Sequence, residues 1–407
     1  MKIAIIGGGA AGMFCALSLA NSNADVTIFE KNNDTLKKLL LTGHGRCNVT
    51  NLVEPDKFLE NVPHNSKFMF ASINKFDSFD LVDYLREKGV TTKLEKGNRV
   101  FPATNKAITI KECFDNNLPE NVTLKTGCEV KKIARSKDKF KVFFNSTSQS
   151  FDAVVVATGG LSFPKTGSTG DGYEFAKKFG LEVKSQRSSL CSIRLMNVPK
   201  HFEGTPFNCK VSLNHNNQTI SLNGKGLFTG FGVSGPVIHK LSALVEDQDI
   251  SCSYITFDLL NGKTYEQCVK EFKAYIKQNP KRFIVHLLSN FVNIKFAKDL
   301  LFALNLPEKL QCANVSNAQL QLVINALKSY SFEVLGFDDI GRATVTRGGV
   351  SCKEIVPATM ESKAVKNLYF IGEVLDVDGF SGGFNLQIAF STAYACATDL
   401  INKADGE

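Results

Sequence analysis

KIAIIGGGAAG, residues 2–12, is the stretch that decides the fold. Behind one lysine, Ile3–Ile6 form an apolar run without the alternation of a half-solvated strand. Such a run suits a strand buried on both faces of a parallel sheet. Gly7, Gly9 and Gly12 follow in the spacing G-x-G-x-x-G. Gly7 permits the tight turn out of the strand, Gly9 leaves the backbone open to a pyrophosphate, and Gly12 lets the next helix pack close to the strand. Residues 10–20 (AAGMFCALSLA) read as that helix. Its first turn, with Ala10 and Ala11, offers free N–H groups and the positive end of a dipole to phosphates. Residues 25–30 (DVTIFE) are a second strand, completing a βαβ unit. Its terminal Glu30, followed by Lys31, is placed to accept hydrogen bonds from adenosine ribose hydroxyls. Strand, helix and terminal acid together set this pattern apart from a plain glycine turn.

Two later stretches extend the fold. Residues 151–157 (FDAVVVA) are another buried strand running into Ala157-Thr158-Gly159-Gly160, a turn placed to pass close to a nucleotide. Residues 367–371 (NLYFI) are a strand ending at Gly372-Glu373, whose carboxylate is positioned for a flavin ribitol hydroxyl. The glycine-rich turn at 379–385 (GFSGGFN) then leads into an alanine-rich helix over 384–400, with Gly383, Phe384 and Asn385 at its start. Free N–H groups there suit the N1–C2=O edge of a flavin, which gains negative charge on reduction. A nicotinamide enzyme needs only the first signal. FAD is longer and needs the distal C-terminal cradle, so the three signals in this order predict FAD. The expected class is α/β: a Rossmann-like FAD-binding domain built from both chain ends, residues 1–189 plus 341–407.

Between the ends, residues 78–88 read as an amphipathic helix, and 121–130 and 139–144 as strands. Val130, closing the first of these strands, is a further expected cofactor contact. From 191 to 223 short alternating strands (SIRL, CKVSL, TISL) with a turn at 215–218 (HNNQ) predict an inserted antiparallel, barrel-like β domain over 190–262. Residues 263–340 are expected to form a helical domain. Tyr265, Cys268, Val269, Phe272 and Ile276 share one helix face there, and Ala318, Leu322, Val323 and Ala326 repeat the device, both as core packing.

The composition is that of an ordinary globular protein, 43% hydrophobic and 22% charged, in 407 residues that call for two or three domains. The net charge of +8 is modest, and Lys31, Lys37, Lys38, Lys131 and Lys132 are scattered rather than gathered into a basic arm. A nucleic-acid partner is therefore not expected. Eleven cysteines, an odd number with no C-x-x-C pair, argue against a disulfide framework and against a metal site. Free thiols, no signal peptide before the first strand and no long apolar run point to the cytoplasm and away from a membrane.

Residues 38–51 (KLLLTGHGRCNVTN) are the most specific local string. Lys38, Arg46, Asn48 and Asn51 suit phosphate or flavin-edge hydrogen bonds, and Thr42 and Gly45 belong to the same turn. Cys47 has no second cysteine nearby for a disulfide-exchange mechanism and is read as packing beside FAD. His44 is the polar group read as a catalytic candidate, against the alternative of a loop histidine without chemistry. Gly230-x-Gly232-x-x-Gly235, before Pro236, also matches a dinucleotide pattern but lacks a βαβ context, so a tight turn is the preferred reading.

The strings GGGAAG (7–12), TGHGRCNVTN (42–51), RVFPAT (99–104), ATGGLSFPKTGSTGDGY (157–173), LFTGFGVSGP (227–236), TRGGV (346–350) and GEVLDVDGFSGGFNLQIAFSTA (372–393) span nearly the whole chain. On them the sequence resembles the aminoacetone oxidase-like, or BaiN-type, NAD(P)/FAD-dependent oxidoreductase flavoproteins. The resemblance implies that FAD is held non-covalently, and it implies a nucleotide fold, a small β domain and a helical domain. It also implies redox chemistry on an amine or a ketosteroid, and Asp376 as a further cofactor-side residue. The family often has His where Gly230 stands, so no role of that His carries over.

The expected activity is hydride transfer between a small organic substrate, an amine or an enone/ketone, and flavin N5, with O2 or NAD(P)H as redox partner. A flavin-dependent tRNA-modifying protein and a non-enzymatic flavin redox sensor are the alternatives. The oligomeric state is left open.

Overall fold

Ile3–Ile6 are fully or nearly fully buried, which is why a continuous apolar run stands there. In the computed structural model, which describes every residue except Asn21, Gln248, Glu407 and the side chain of His201, strand β1 (Lys2–Ile6) is the centre of a five-stranded parallel sheet. Beside it on one side lies β2 (Asp25–Phe29), flanked by β3 (Val122–Lys125). On the other side lies β4 (Ala153–Val156), flanked by β5 (Leu368–Phe370), which comes from the far end of the chain. Helix α1 (Ala10–Ser18) follows β1 and is buried from Ala11 to Leu17. It has no polar face because helix α2 (Phe384–Asp405) covers it. Phe14 meets Phe390 and Phe76 with ring centroids 5.1 Å apart in both pairs. Burying a side chain of this size contributes about 2–3 kcal/mol. The helix read over 384–400 continues to Asp405 and stops at Gly406, whose φ of 86° is a left-handed cap.

The strand read over 121–130 is two elements. The chain leaves the parallel sheet after Lys125, turns at Gly127 (φ 59°), and at Val130 begins an antiparallel meander of Val130–Ser136, Lys139–Phe144 and Thr147–Phe151. The Gly127 N–H donates to Asn32 O and the Cys128 N–H to Glu30 O, so this turn runs beside the end of β2.

By backbone contacts the chain forms two compact units, Met1–Ser189 with Asp339–Glu407, and Leu190–Asp338. The second contains a closed six-stranded barrel of Ile193–Leu195, Gly232–Ser234, Gln218–Thr229, Pro206–His215, Tyr254–Asp258 and Tyr330–Phe337. Asn216 and Asn217, both at positive φ, make the two-residue turn of its long hairpin. The closing strand, Tyr330–Phe337, follows four helices, and barrel and helices share one apolar core. In helix Tyr265–Gln278, Cys268 and Phe272 are buried in that core. In helix Asn317–Lys328 the buried face is Leu320, Val323, Ile324 and Leu327, whereas Ala318 and Leu322 are exposed. The larger side chains at i, i+3, i+4 and i+7 win the core over the smaller face read from the sequence.

Gly230–Gly235 contains no dinucleotide unit. Gly230 and Phe231 turn between antiparallel strands, and a Cβ at Gly232 would stand 2.0 Å from Ile193 O. Gly235 (φ 96°) precedes Pro236, the first residue of helix Pro236–Leu244.

Candidate cofactor site

The first glycine turn packs the end of β1, the start of α1 and the end of β4 closely together. Gly7 has φ 109° and sits against the end of β4, where a Cβ would lie 2.5 Å from Ala157 O. A Cβ at Gly12 would lie 1.9 Å from Gly7 O, so only glycine lets α1 start this close to the turn. A Cβ at Gly9 would meet nothing within 4 Å. The start of α1, including Ala10 and Ala11, thus has open space in front of it, and no side chain caps it. Glu30 is buried at the end of β2. Its carboxylate accepts the Gly8 N–H at 2.8 Å and both the backbone N–H and the side-chain amide of Asn32 at 2.7 Å. Lys31 pairs with Asp171 at 2.7 Å and also bonds Thr169.

The tail returns to this turn. Gly372 (φ 72°) faces α1, where a Cβ would be 2.8 Å from the Ala11 methyl, and its N–H donates to Thr392 Oγ1 at 3.0 Å. Glu373 next to it is the hub of a network that joins four distant segments. It pairs with Lys38 at 2.6 Å and accepts Ser162 Oγ–H and the Thr346 N–H, both at 2.9 Å. Lys38 also donates to Ser162 Oγ at 2.6 Å. Lys38 therefore serves the carboxylate that the sequence assigned to the ribitol. Ser162 and Thr346 were not singled out, though both stand in strings that carry the family resemblance.

The 42–51 segment is packed under the start of α2. A Cβ at Gly383 (φ 103°) would overlap the Thr50 backbone at 2.4 Å. Thr50 Oγ1 donates to Gln387 Oε1 at 2.7 Å, and the Asn51 amide donates to Gly382 O at 3.1 Å. Helix α2 starts without a side-chain cap. Phe384 is buried against Phe58, and Asn385 closes the preceding turn through Gly379, so its amide supports the loop. Within the segment, Gly43, His44, Gly45 and Cys47 all have positive φ. For His44 and Cys47 that conformation costs about 1 kcal/mol or more each, which the surrounding packing offsets. Thr42 Oγ–H donates to Leu39 O at 2.6 Å. Arg46 bonds Glu95 and Asn105, and its guanidinium lies 4.2 Å from the Phe101 ring centre. His44 is exposed.

Two buried polar atoms in this region, Asn48 Oδ1 and Thr158 Oγ1, have no hydrogen-bond partner among the described residues. Gly159 (φ 71°) follows Thr158, and Val130 is buried where the meander starts. Orphaned buried oxygens are costly unless a ligand or water answers them. With the uncapped starts of α1 and α2 and the open side of Gly9, they fit an FAD held along the sheet's carboxyl end. Asp376 accepts the Asn65 amide on both its backbone carbonyl and its carboxylate, and burial raises its pKa. A connected set, His64–Asp378–Ser189, joins three segments distant in sequence beside the Asn65–Asp376 contact and was not foreseen. His64 Nδ1 is 2.8 Å from one Asp378 oxygen, and Ser189 Oγ–H donates to the other at 2.7 Å.

Burial pushes the Cys47 thiol up to about 12, so it carries no thiolate at neutral pH. All eleven cysteines are free and only Cys252 is exposed. Native protein treated with a disulfide reagent at pH 8 is expected to release one rapid equivalent, lost in Cys252→Ser. Rapid modification of Cys47 would contradict this environment.

A strand–glycine–helix turn, a terminal acid and a returning tail define an FAD-binding oxidoreductase with a Rossmann fold. A family model described as HI0933-like protein Rossmann domain matches residues 1–399, and the chain belongs to that family. The ribosomal RNA dihydrouridine synthases of Escherichia coli strain K12 and Haemophilus influenzae are each 31% identical to it, over 98% and 97% of this chain respectively and 97% of theirs. The 3-dehydro-bile acid delta(4,6)-reductase of Clostridium scindens is 27% identical over 97% of both chains, in line with the BaiN-type resemblance. Among solved structures, the 3-ketosteroid-delta4-(5alpha)-dehydrogenase of Rhodococcus jostii shares the fold with a TM-score of 0.52 at 11% identity, covering 97% of each chain. Among the described residues no helix is long and apolar enough to cross a membrane.

Proposed function

We propose that this chain reduces a carbon–carbon double bond conjugated to a carbonyl. The FAD, when bound, supplies hydride transfer at its N5. The observation that carries the redox part is the start of α2. A 22-residue helix begins without a side-chain cap at Gly383, seated on Thr50, with its N–H groups and dipole available to a negative charge. That is the electrostatics a reduced flavin needs. Lys38 and Ser162 hold the Glu373 carboxylate in place for the ribitol. Asn48 and Thr158 supply unanswered acceptors to the cofactor.

The substrate class is narrowed by the relatives. One is named for reducing an unsaturated bile acid and two for making dihydrouridine in ribosomal RNA. A uracil ring and a steroid enone present the same acceptor, C=C next to C=O, so one flavin chemistry serves both names. The two 31% identities favour a second, narrower reading, a uracil base within RNA. The amine substrate and O2 as physiological oxidant are the competing outcomes. The test is anaerobic reduction of the bound flavin with NADH, NADPH or dithionite. Mixing with an enone steroid or with unmodified ribosomal RNA follows. Flavin reoxidation together with a product heavier by two hydrogens is expected. Reoxidation by O2 alone, with both acceptors unchanged, would contradict the proposal.

A further inference from the structure

The helix Tyr265–Gln278 is fixed by its inner face. Cys268 and Phe272 are buried, Phe272 meets Phe291 at 5.3 Å, and a Thr264–Gln267 capping box sets its start. Its outer face is basic. Lys270, Lys273 and Lys277 recur at i, i+3 and i+7, and Lys281 and Arg282 continue beyond the helix end. All five are exposed, and none has a side-chain ion pair with a described residue. Neighbours at this spacing lie about 5–6 Å apart between Cβ atoms. Residues 263–282 hold six lysines and arginines against two glutamates, and one of those, Glu271, is already paired with Lys263. The helix dipole accounts for Lys277 in the last turn, but not for the other four. Like charges held this close repel one another, and a line of phosphates relieves that.

We infer that the ridge Lys270–Lys273–Lys277–Lys281–Arg282 is a docking surface for the phosphodiester backbone of RNA. This rests on the RNA reading above and assigns to the second unit the sequence-independent part of binding. A rival basic stretch, the hairpin of Lys131–Lys141, is less available. Lys131 pairs with Glu129 and Lys139 with Asp152, while Lys132 and Lys141 converge on the Phe143 ring at 5.6 and 5.4 Å.

The test is binding of FAD-loaded protein to an unmodified ribosomal RNA fragment over a salt series. Lys270→Glu/Lys273→Glu/Lys277→Glu is compared with the hairpin control Lys132→Glu/Arg135→Glu/Lys141→Glu. The ridge variant is expected to lose roughly tenfold or more in affinity and to flatten the salt slope by about 2–3. Flavin content and melting temperature should be kept, and the milder Lys→Gln triple should show a smaller loss of the same kind. The control should change less. Wild-type binding with an unchanged ridge variant would overturn the ridge and leave the RNA reading standing. Absence of wild-type binding to RNA would overturn both, as would binding only to phosphatidylglycerol vesicles. Turnover of the enone steroid, measured in parallel, reports separately on the reduction chemistry.

Discussion

Gly12→Val protein is expected to be insoluble or colourless, while Gly9→Ala folds with a near-native melting temperature and holds FAD weakly. The two glycines belong to one motif but do different jobs. A Cβ at Gly12 would stand 1.9 Å from a backbone oxygen of the first turn. Backbone cannot swing aside as a flexible side chain can, and forced overpacking costs about 3 kcal/mol or more. Against a total of roughly 5–15 kcal/mol, that endangers the whole fold. At Gly9 the same atom meets nothing within 4 Å, and its φ of −82° suits any residue. A methyl there disturbs only what approaches from outside. The measurements are melting temperature and flavin absorbance per chain. A yellow, normally melting Gly12→Val protein would mean that α1 does not pack as described.

Glu373→Ala is the second large effect expected. The carboxylate satisfies Lys38, Ser162 and the Thr346 N–H at once. Lys38 and Glu373 side chains are only 25% and 21% exposed, so solvent does not fully replace the lost partner. Removing it strands a charge and two donors, a loss of about 2–4 kcal/mol. FAD affinity is expected to fall at least ~10-fold, since about 1.4 kcal/mol of lost interaction is enough for that. Lys38→Met and Glu373→Gln, alone and together, give the coupling, expected near 1–2 kcal/mol. A stability change under about 0.5 kcal/mol in Glu373→Ala would show that the network does not hold the tail.

Local rules made much of this visible beforehand. Gly7, Gly9, Gly12 and Glu30 act within one βαβ unit, where spacing alone fixes geometry. The hairpin at Asn216-Asn217 and the apolar β1 run were legible for the same reason. What stayed hidden depends on residues far apart in the chain. Lys38 and Glu373 are 335 positions apart, so no local pattern joins them. The break in 121–130 is set by a change of sheet partner, and the buried face of helix 317–328 by competition between two apolar stripes. The basic ridge is a different case. Its i, i+3, i+7 spacing was present in the sequence, but a modest average charge of +8 concealed it. Averages over a chain lose what a single helix face concentrates.

The first glycine turn and the returning tail are expected to hold one FAD between them without a covalent bond. The direct measurement is acid release of cofactor from purified protein, followed by chromatography of the supernatant. One FAD per chain in the supernatant, none left on the precipitate, is the predicted result. A folded, full-length chain that carries no flavin and stays colourless after incubation with excess FAD would contradict it.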